Sequence, residues 1–303
     1  MARTPRPEFR PDPSLSHESM TELQREIAAS AAFTDQFGFE PADIAIDDAF
    51  DLTTGLPEAT PESDGSNPDA PVVVGIDQAF LTGETKNEAG DDGAGDDGAG
   101  DDGAGDDGTT DHDRAVSAAV AIRDGAVIEY AHAVTPLSIP YVPGLLAFRE
   151  GAPMLDALDA LSVEPDLLVC DGSGRIHFRE AGIATHIGVI RDLPSLGVAK
   201  RLLCGEPVES VDERPADWQT PIRADNRVET AEPGTVIGHA YQSRQYPNSR
   251  RVNPLYVSPG HRVSAETTVD LVAATCAGYK LPEPTRLADA HADRVKRRLP
   301  GED

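Results

Sequence analysis

Asp171 stands at the end of an unbroken apolar run, Leu167-Leu168-Val169-Cys170, and is followed by Gly172-Ser173-Gly174. A run without polar interruption reads as a buried strand. An acid at its carboxyl end, before a glycine turn, occupies the place where an open α/β sheet puts its chemistry. His177, Arg179 and His186 follow on a stretch read as helix, and a second strand, Leu196-Gly197-Val198-Ala199, delivers Lys200. Two more acids share this kind of placement. Asp77 sits in the last turn of the strand PVVVGIDQAF, and Glu150 follows Phe148-Arg149 on a helix able to lean over both strand ends. Taken singly, any Asp is better explained as a helix cap or surface charge; the shared placement beside Lys200 and His177 argues for a site. Carboxylates gathered in a dry site repel unless a divalent cation sits among them, and magnesium, with manganese able to substitute, suits oxygen ligands. Two such ions about 4 Å apart activate a water and stabilise the leaving oxygen of a phosphodiester.

The elements that must position these residues follow from pattern. Residues 1–15, rich in proline and arginine, are expected to be disordered. A helix starts near Ser16 to Ser19, with Ser19 and Glu22 matching a capping box, and Leu23, Ile27 and Ala31 recur at helical spacing through Phe33. Residues 40–70 carry many acids with Pro57, Pro61 and Pro68, which reads as a mobile linker. The strand ending at Phe80 is followed by an acidic insert at residues 84–113 that contains AGDDG four times in succession. Such a repeat reads as a solvated loop; a calcium-binding repeat would need a nine-residue period with an apolar residue in each unit. Ala115–Ile122 and Ala126–Val134 are strands split by Asp124-Gly125, a hairpin signal. Helix from Leu145 to Leu161, then the Asp171 and Lys200 strands, come next. Residues 206–233 read as polar surface chain, Val236–Tyr241 and Leu255–Val257 as strands, Ala265–Ala277 as helix, and Pro282–Arg298 as a basic tail with a last helix. A meander of three antiparallel strands followed by alternating helix and strand specifies an α/β, ribonuclease H-like mixed sheet flanked by helices. The expected organisation is one domain over residues 16–303.

Charge adds a statement about solvent. The net charge is −27, of which residues 1–70 carry −11, Asp77 −1 and residues 84–113 another −11, leaving −4 on residues 114–303. Lysine occurs four times against 22 arginines. Acid enrichment with little lysine suggests a chain kept soluble at high ionic strength, where screening shrinks self-repulsion. The nearly neutral body leaves room for a nucleic-acid partner. Cys170, Cys204 and Cys276 are widely spaced in apolar sequence and read as reduced core residues. No apolar run approaches the roughly 20 residues that span a bilayer, and the first residues lack a secretory segment, so no membrane partner and a cytoplasmic location are expected.

The segments PYVPGLLAFRE (140–150), DGSGRIHFREAGIATHIG (171–188), GVAKRLLCG (197–205), NPLYVSPGHRVS (253–264) and LPEPTRLAD (281–289) together resemble the endonuclease V family, nucleases of deaminated-base repair. The helix near residues 19–33 and the strand GIDQAF fit as well, so the resemblance covers most of residues 16–290 with its motifs in order. It implies a magnesium-dependent enzyme that recognises hypoxanthine (deoxyinosine) in damaged DNA, with inosine-containing RNA a further partner to test. It implies hydrolysis of the second phosphodiester bond 3′ to the lesion, leaving 3′-hydroxyl and 5′-phosphate ends. Carried over by position, Asp77, Glu150 and Asp171 match the metal-binding acids and Asp289 a further position at the metal. His177 and Lys200 match residues near the scissile phosphate, where both would offset developing negative charge. Tyr141, held between Pro140 and Val142-Pro143, matches the wedge that fills the gap left by an extruded base. Gly172 and Gly174 would let the backbone approach that base. His177-Phe178-Arg179 departs from the family's usual His-Pro-Arg, and the acidic repeat has no counterpart in compact members. Two rivals stay open: another ribonuclease H-like nuclease, inosine-directed on RNA or structure-specific, and a non-catalytic nucleic-acid binder.

Overall fold

The computed structural model describes residues 3–60, 67–81, 113–137, 139, 142 and 144–299. Its strands form a nine-stranded mixed sheet, in chain order β1 Val72–Leu81, β2 Arg114–Arg123, β3 Ala126–Pro136, β4 Leu167–Asp171, β5 Ser195–Ala199, β6 Glu206–Pro207, β7 Gln219–Arg223, β8 Val236–Tyr241 and β9 Leu255–His261. The spatial order is β3-β2-β1-β4-β5-β9-β8-β7-β6. The first three strands are the expected antiparallel meander, with Asp124 and Gly125 at positive φ in the β2–β3 turn. Strands β1, β4 and β5 run parallel to one another, and β9 to β6 close the far side antiparallel. The mixed sheet flanked by helices is that of a ribonuclease H-like fold.

Alternation along the central strands sorts residues onto two covered faces. Val72, Val74, Ile76, Leu168 and Cys170 face a core closed by α1 (His17–Ser30), α2 (Leu146–Asp159) and α3 (Ile183–Arg191). Val73, Leu167, Val169, Leu196 and Val198 face the other side, closed by α4 (Ala265–Ala274). The final helix α5 (Glu283–Lys296) lies on that second side over β1 and β2, packing Leu287, Ala288 and Ala292. It approaches β1 so closely that a Cβ on Gly75 would land inside the Pro284 carbonyl group.

Several expectations are corrected. Residues 3–15 are packed against the body: Phe9 is buried, the Arg6 N–H donates to Ile190 O, and Arg10 pairs with Asp156 and Asp159. One aromatic anchor outweighs the polar average that suggested disorder. Within the supposed linker, Ile44 and Ile46 are buried, and Phe50, Leu52 and Leu56 pack at the cluster that holds Leu287. The N-cap of α1 is Ser16, whose hydroxyl accepts the Ser19 N–H, so the cap lies three residues earlier than expected. Asp77 is inside β1, with four strand residues beyond it. His177 and Arg179 lie in a loop ahead of α3, which begins only at Ile183; Gly172, Glu180 and the close-packed Gly174 and Gly182 preclude helix there. Residues 206–233 contribute β6 and β7 and bury Ile222 and Val228. The basic tail is a core helix. The acidic repeat lies outside the described residues.

Candidate active site

The period of two carries the chemical residues to one face. Asp77 lies four residues after Val73, Asp171 four after Leu167, and Lys200 four after Leu196, and all three reference residues belong to the α4-side core. Ile76 pairs with Cys170 and Asp171 with Val198, so Asp77 and Asp171 are successive along neighbouring parallel strands, with Lys200 just past the end of the next. Helix α5 supplies Asp289 on the same side, held down by Leu287 and Ala288. The Lys200 Nζ lies 3.8 Å from Asp171 Oδ2.

Asp77 is only 6% exposed. Burial, then the charges of Asp171 and Asp289, hold its carboxyl well above the usual carboxylate range, opposed by the Gln78 N–H and Lys200. That N–H donates to Asp77 Oδ1 at 2.7 Å. Asp289 is raised by burial first, then by Asp293, with Asp171 adding to the shift and Lys200 opposing it. Asp77, Asp171, Asp289 and Lys200 thus form one electrostatic unit. Glu150 lies on the opposite face of the sheet, where its backbone meets Gln78, the neighbour of Asp77. Its helix α2 packs over the α1–α3 core, and the Gln78 side chain binds the Glu150 carbonyl at 2.9 Å and Ser117 Oγ at 2.7 Å. The residue next to Asp77 therefore fixes where α2 starts relative to the acids.

His177 is placed differently from Lys200. It is 4% exposed, outside the set of charges acting on Asp77, and burial with the nearby Arg179 guanidinium lowers its pKa to about 4. Its Nδ1 accepts the Arg179 N–H at 3.2 Å, and its ring meets the Gly144 backbone. A buried glutamine with no distinguishing mark in the sequence, Gln24 on α1, joins the same network: its Nε2 donates to Gly144 O and its Oε1 accepts from Arg179, each at 2.8 Å. His177, Arg179 and Gln24 tie the 144 turn to the loop after Asp171. Pro140, Tyr141 and Pro143 lie outside the described residues; Val142 packs with Met20, Leu145 and Phe148. Gly172 and Gly174 leave room for the chain itself, since a Cβ on either would strike Ile183 or the Pro259 carbonyl. His261 is structural, its Nδ1 accepting the Ala32 N–H and its Nε2 meeting Asp192 Oδ1 at 3.0 Å.

A second lysine was not foreseen. Lys280, half-buried before α5, has its pKa lowered by burial and by Lys200, which places its charge beside the acid face. Its only sequence signal is its position one residue before the LPEPTRLAD segment.

The donor chemistry of this face suits a hard divalent cation: Asp77, Asp171 and Asp289 offer carboxylate oxygens whose mutual repulsion already disfavours ionisation of Asp77. Among the described residues, no three His, Cys, Asp or Glu side chains are drawn tightly enough together to hold an ion. A cation pulling the carboxylates inward would relieve that repulsion, so charge and ligand type fit while the arrangement is open.

Comparison with known proteins agrees with the fold. A family model described as Endonuclease V matches residues 98–290. The chain is 53% identical over 292 residues to endonuclease V of Natronomonas pharaonis, covering 96% of each chain. The endonuclease V structure from Streptomyces avermitilis is similar at 29% identity and a TM-score of 0.63, over 93% of each chain. The fold is shared by a Ciona intestinalis endonuclease V solved with a 23mer DNA containing an inosine followed by a ribo-adenosine, at 20% identity and a TM-score of 0.61, over 94% of this chain and 100% of that one.

Proposed function

The chain belongs to the endonuclease V family, a family of nucleases, and on that premise we propose that it is a magnesium-dependent repair endonuclease acting on deoxyinosine in DNA. It hydrolyses the second phosphodiester bond 3′ to the hypoxanthine and leaves 3′-hydroxyl and 5′-phosphate ends. The observation that carries this reading is the gathering of Asp77, Asp171 and Asp289 on one sheet face with Lys200. The inosine-containing DNA held by the Ciona protein supports the choice of lesion.

Asp77, Asp171 and Asp289, joined by Glu150 from α2, would hold the cation. A bound divalent ion supplies Lewis-acid polarisation of the phosphate and lowers the pKa of the attacking water. The protein's own groups do the rest. Lys200 offsets the charge that builds on the non-bridging oxygens as the water adds, and its ion pair with Asp171 keeps it aimed at the acid face. His177, neutral because burial lowers its pKa, holds the Gly144 turn in register with the loop after Asp171. That turn is where the chain enters from the Pro140–Pro143 wedge. The Tyr141 ring fills the gap in the stack, an insertion that costs little entropy in a segment stiffened by two prolines.

The test is nicking of a duplex with one inosine, with and without magnesium, by wild type and Asp77→Ala. Wild type is expected to cut in magnesium, and the variant to lose activity on the order of a thousandfold. Equal rates for the two proteins would remove the metal site. Running inosine in RNA and an unmodified flap alongside separates the proposed substrate from those of the rival nucleases.

A further inference from the structure

Beside the acid face, Arg244 lies between two tyrosine rings, 5.1 Å from the Tyr246 centroid and 5.9 Å from that of Tyr279. Arg286 covers Tyr279 at 4.2 Å and is itself committed, donating to Glu283 and to Phe50 O. Arg244 is not. Among the described residues its guanidinium meets no carboxylate and no carbonyl, in a chain with 53 acids. Tyr279, which fixes it, is 45% exposed, one of three large apolar side chains left on the surface among the described residues. Lys280 follows directly and has no carboxylate partner among the described residues.

The loop that carries Arg244 is braced from inside. The buried Gln242 donates from Nε2 to Arg244 O at 2.7 Å and to Val252 O at 2.9 Å, and Gln245 Oε1 accepts the N–H groups of Tyr246 and Val252. Ser243 Oγ donates to Lys280 O at 2.5 Å and joins this loop to the segment leading into α5. A guanidinium stacked on rings keeps its N–H edge free and loses little side-chain entropy on binding, the condition for two-pronged recognition of a phosphate.

We propose that Arg244, fixed by Tyr246 and Tyr279 and seconded by Lys280, clamps a backbone phosphate of the substrate strand next to the one that is cut. The inference rests on the endonuclease reading and adds a positioning device to it. Lys280 stands beside Lys200, which stands 3.8 Å from Asp171, so a strand lying across the acids would meet the clamp within its next nucleotides. Backbone contacts of this kind set register without reading sequence.

The test compares wild type, Arg244→Met, Arg244→Lys and Lys280→Gln in nicking an inosine duplex at several potassium chloride concentrations. Arg244→Met is expected to raise KM about tenfold with kcat within about twofold, and to reduce the slope of log affinity against log salt by about 0.9, the share of one phosphate contact in duplex DNA. Arg244→Lys restores the slope and only part of the KM, since an ammonium lacks the planar fork. Lys280→Gln shifts KM in the same direction and guards against a folding defect in the loop variant. Unchanged KM and slope in both Arg244→Met and Lys280→Gln, with wild type active, would overturn the clamp alone; an inactive wild type would overturn the endonuclease reading instead.

Discussion

Asp77 has a carboxylate whose charge is opposed by burial and by two like neighbours, so in the absence of a cation the folded protein holds it protonated to higher pH than the unfolded chain does. The consequence for stability has a definite sign. The native state binds the extra proton above the unfolded value near 3.9, so the contribution from Asp77 is fully present below that pH and is lost as pH rises through the elevated folded value. Asp77→Asn removes the titration while keeping the shape and a partner for the Gln78 N–H. Chelated Asp77→Asn is expected to melt ~2–4 °C above chelated wild type at pH 8, the difference vanishing near pH 3. Adding magnesium should raise the melting temperature of wild type and leave the variant unmoved. Melting curves of the two proteins across pH, with chelator and with magnesium, check this; a wild type more stable than the variant at pH 8 without metal would contradict it. Asp171 was legible in sequence because its strand shows as an apolar run that stops at a charge, whereas Asp289, on a helix, came only with the family resemblance. Gln24 and Lys280 were not, because a single polar residue in a helical pattern or a turn gives no sign of which buried group it will meet.

At the scale of elements, position is set by helix α5. It brings Asp289 to the acid face, and it can do so only because β1 has no side chain at residue 75. Gly75→Ala would drive a methyl into the Pro284 backbone, which cannot swing aside as a side chain would. Overpacking of this kind costs about 1–3 kcal/mol, and here the relief comes from lifting the start of α5. The expected outcome is a melting temperature lower by ~3–10 °C together with loss of nicking larger than the unfolded fraction explains, because Asp289 moves with the helix. Activity measured well below the melting transition, beside circular dichroism at the same temperature, separates the two effects. Reading residues 282–298 as a basic tail missed this. Seven charged residues from Arg286 to Arg298 dominate composition, whereas Leu287, Ala288, Ala292 and Val295, spaced one turn apart, do the packing. The same reason hid the role of Phe9 and of Ile44 and Ile46: isolated anchors in polar surroundings contribute little to an average and much to a core. The meander was readable because the apolar β-rich runs and the Asp124-Gly125 turn mark out its long strands.

For the whole molecule, charge and topology are separable. Leu81 pairs directly with Arg114, so β1 and β2 close on each other regardless of what lies between them. Loop length enters closure entropy only logarithmically, about 0.6 kcal/mol per doubling, so a long insert there is cheap to keep and its removal gains little. Its charge is another matter. Replacing residues 84–112 by a short Gly-Ser turn takes the net charge from −27 to −17. A field of that sign repels a phosphate backbone, and screening hides it once the Debye length falls to about 3 Å near 1 M salt. The shortened protein is therefore expected to fold with the same melting temperature within ~3 °C in 2 M potassium chloride, and to nick inosine duplex with a lower KM than wild type in 0.1 M salt. At 2 M the two KM values should coincide. Kinetics of both proteins across that range test the idea that the insert serves solubility in brine at the expense of DNA affinity in dilute buffer. Identical KM values at 0.1 M would show that the insert's charge does not reach the substrate path.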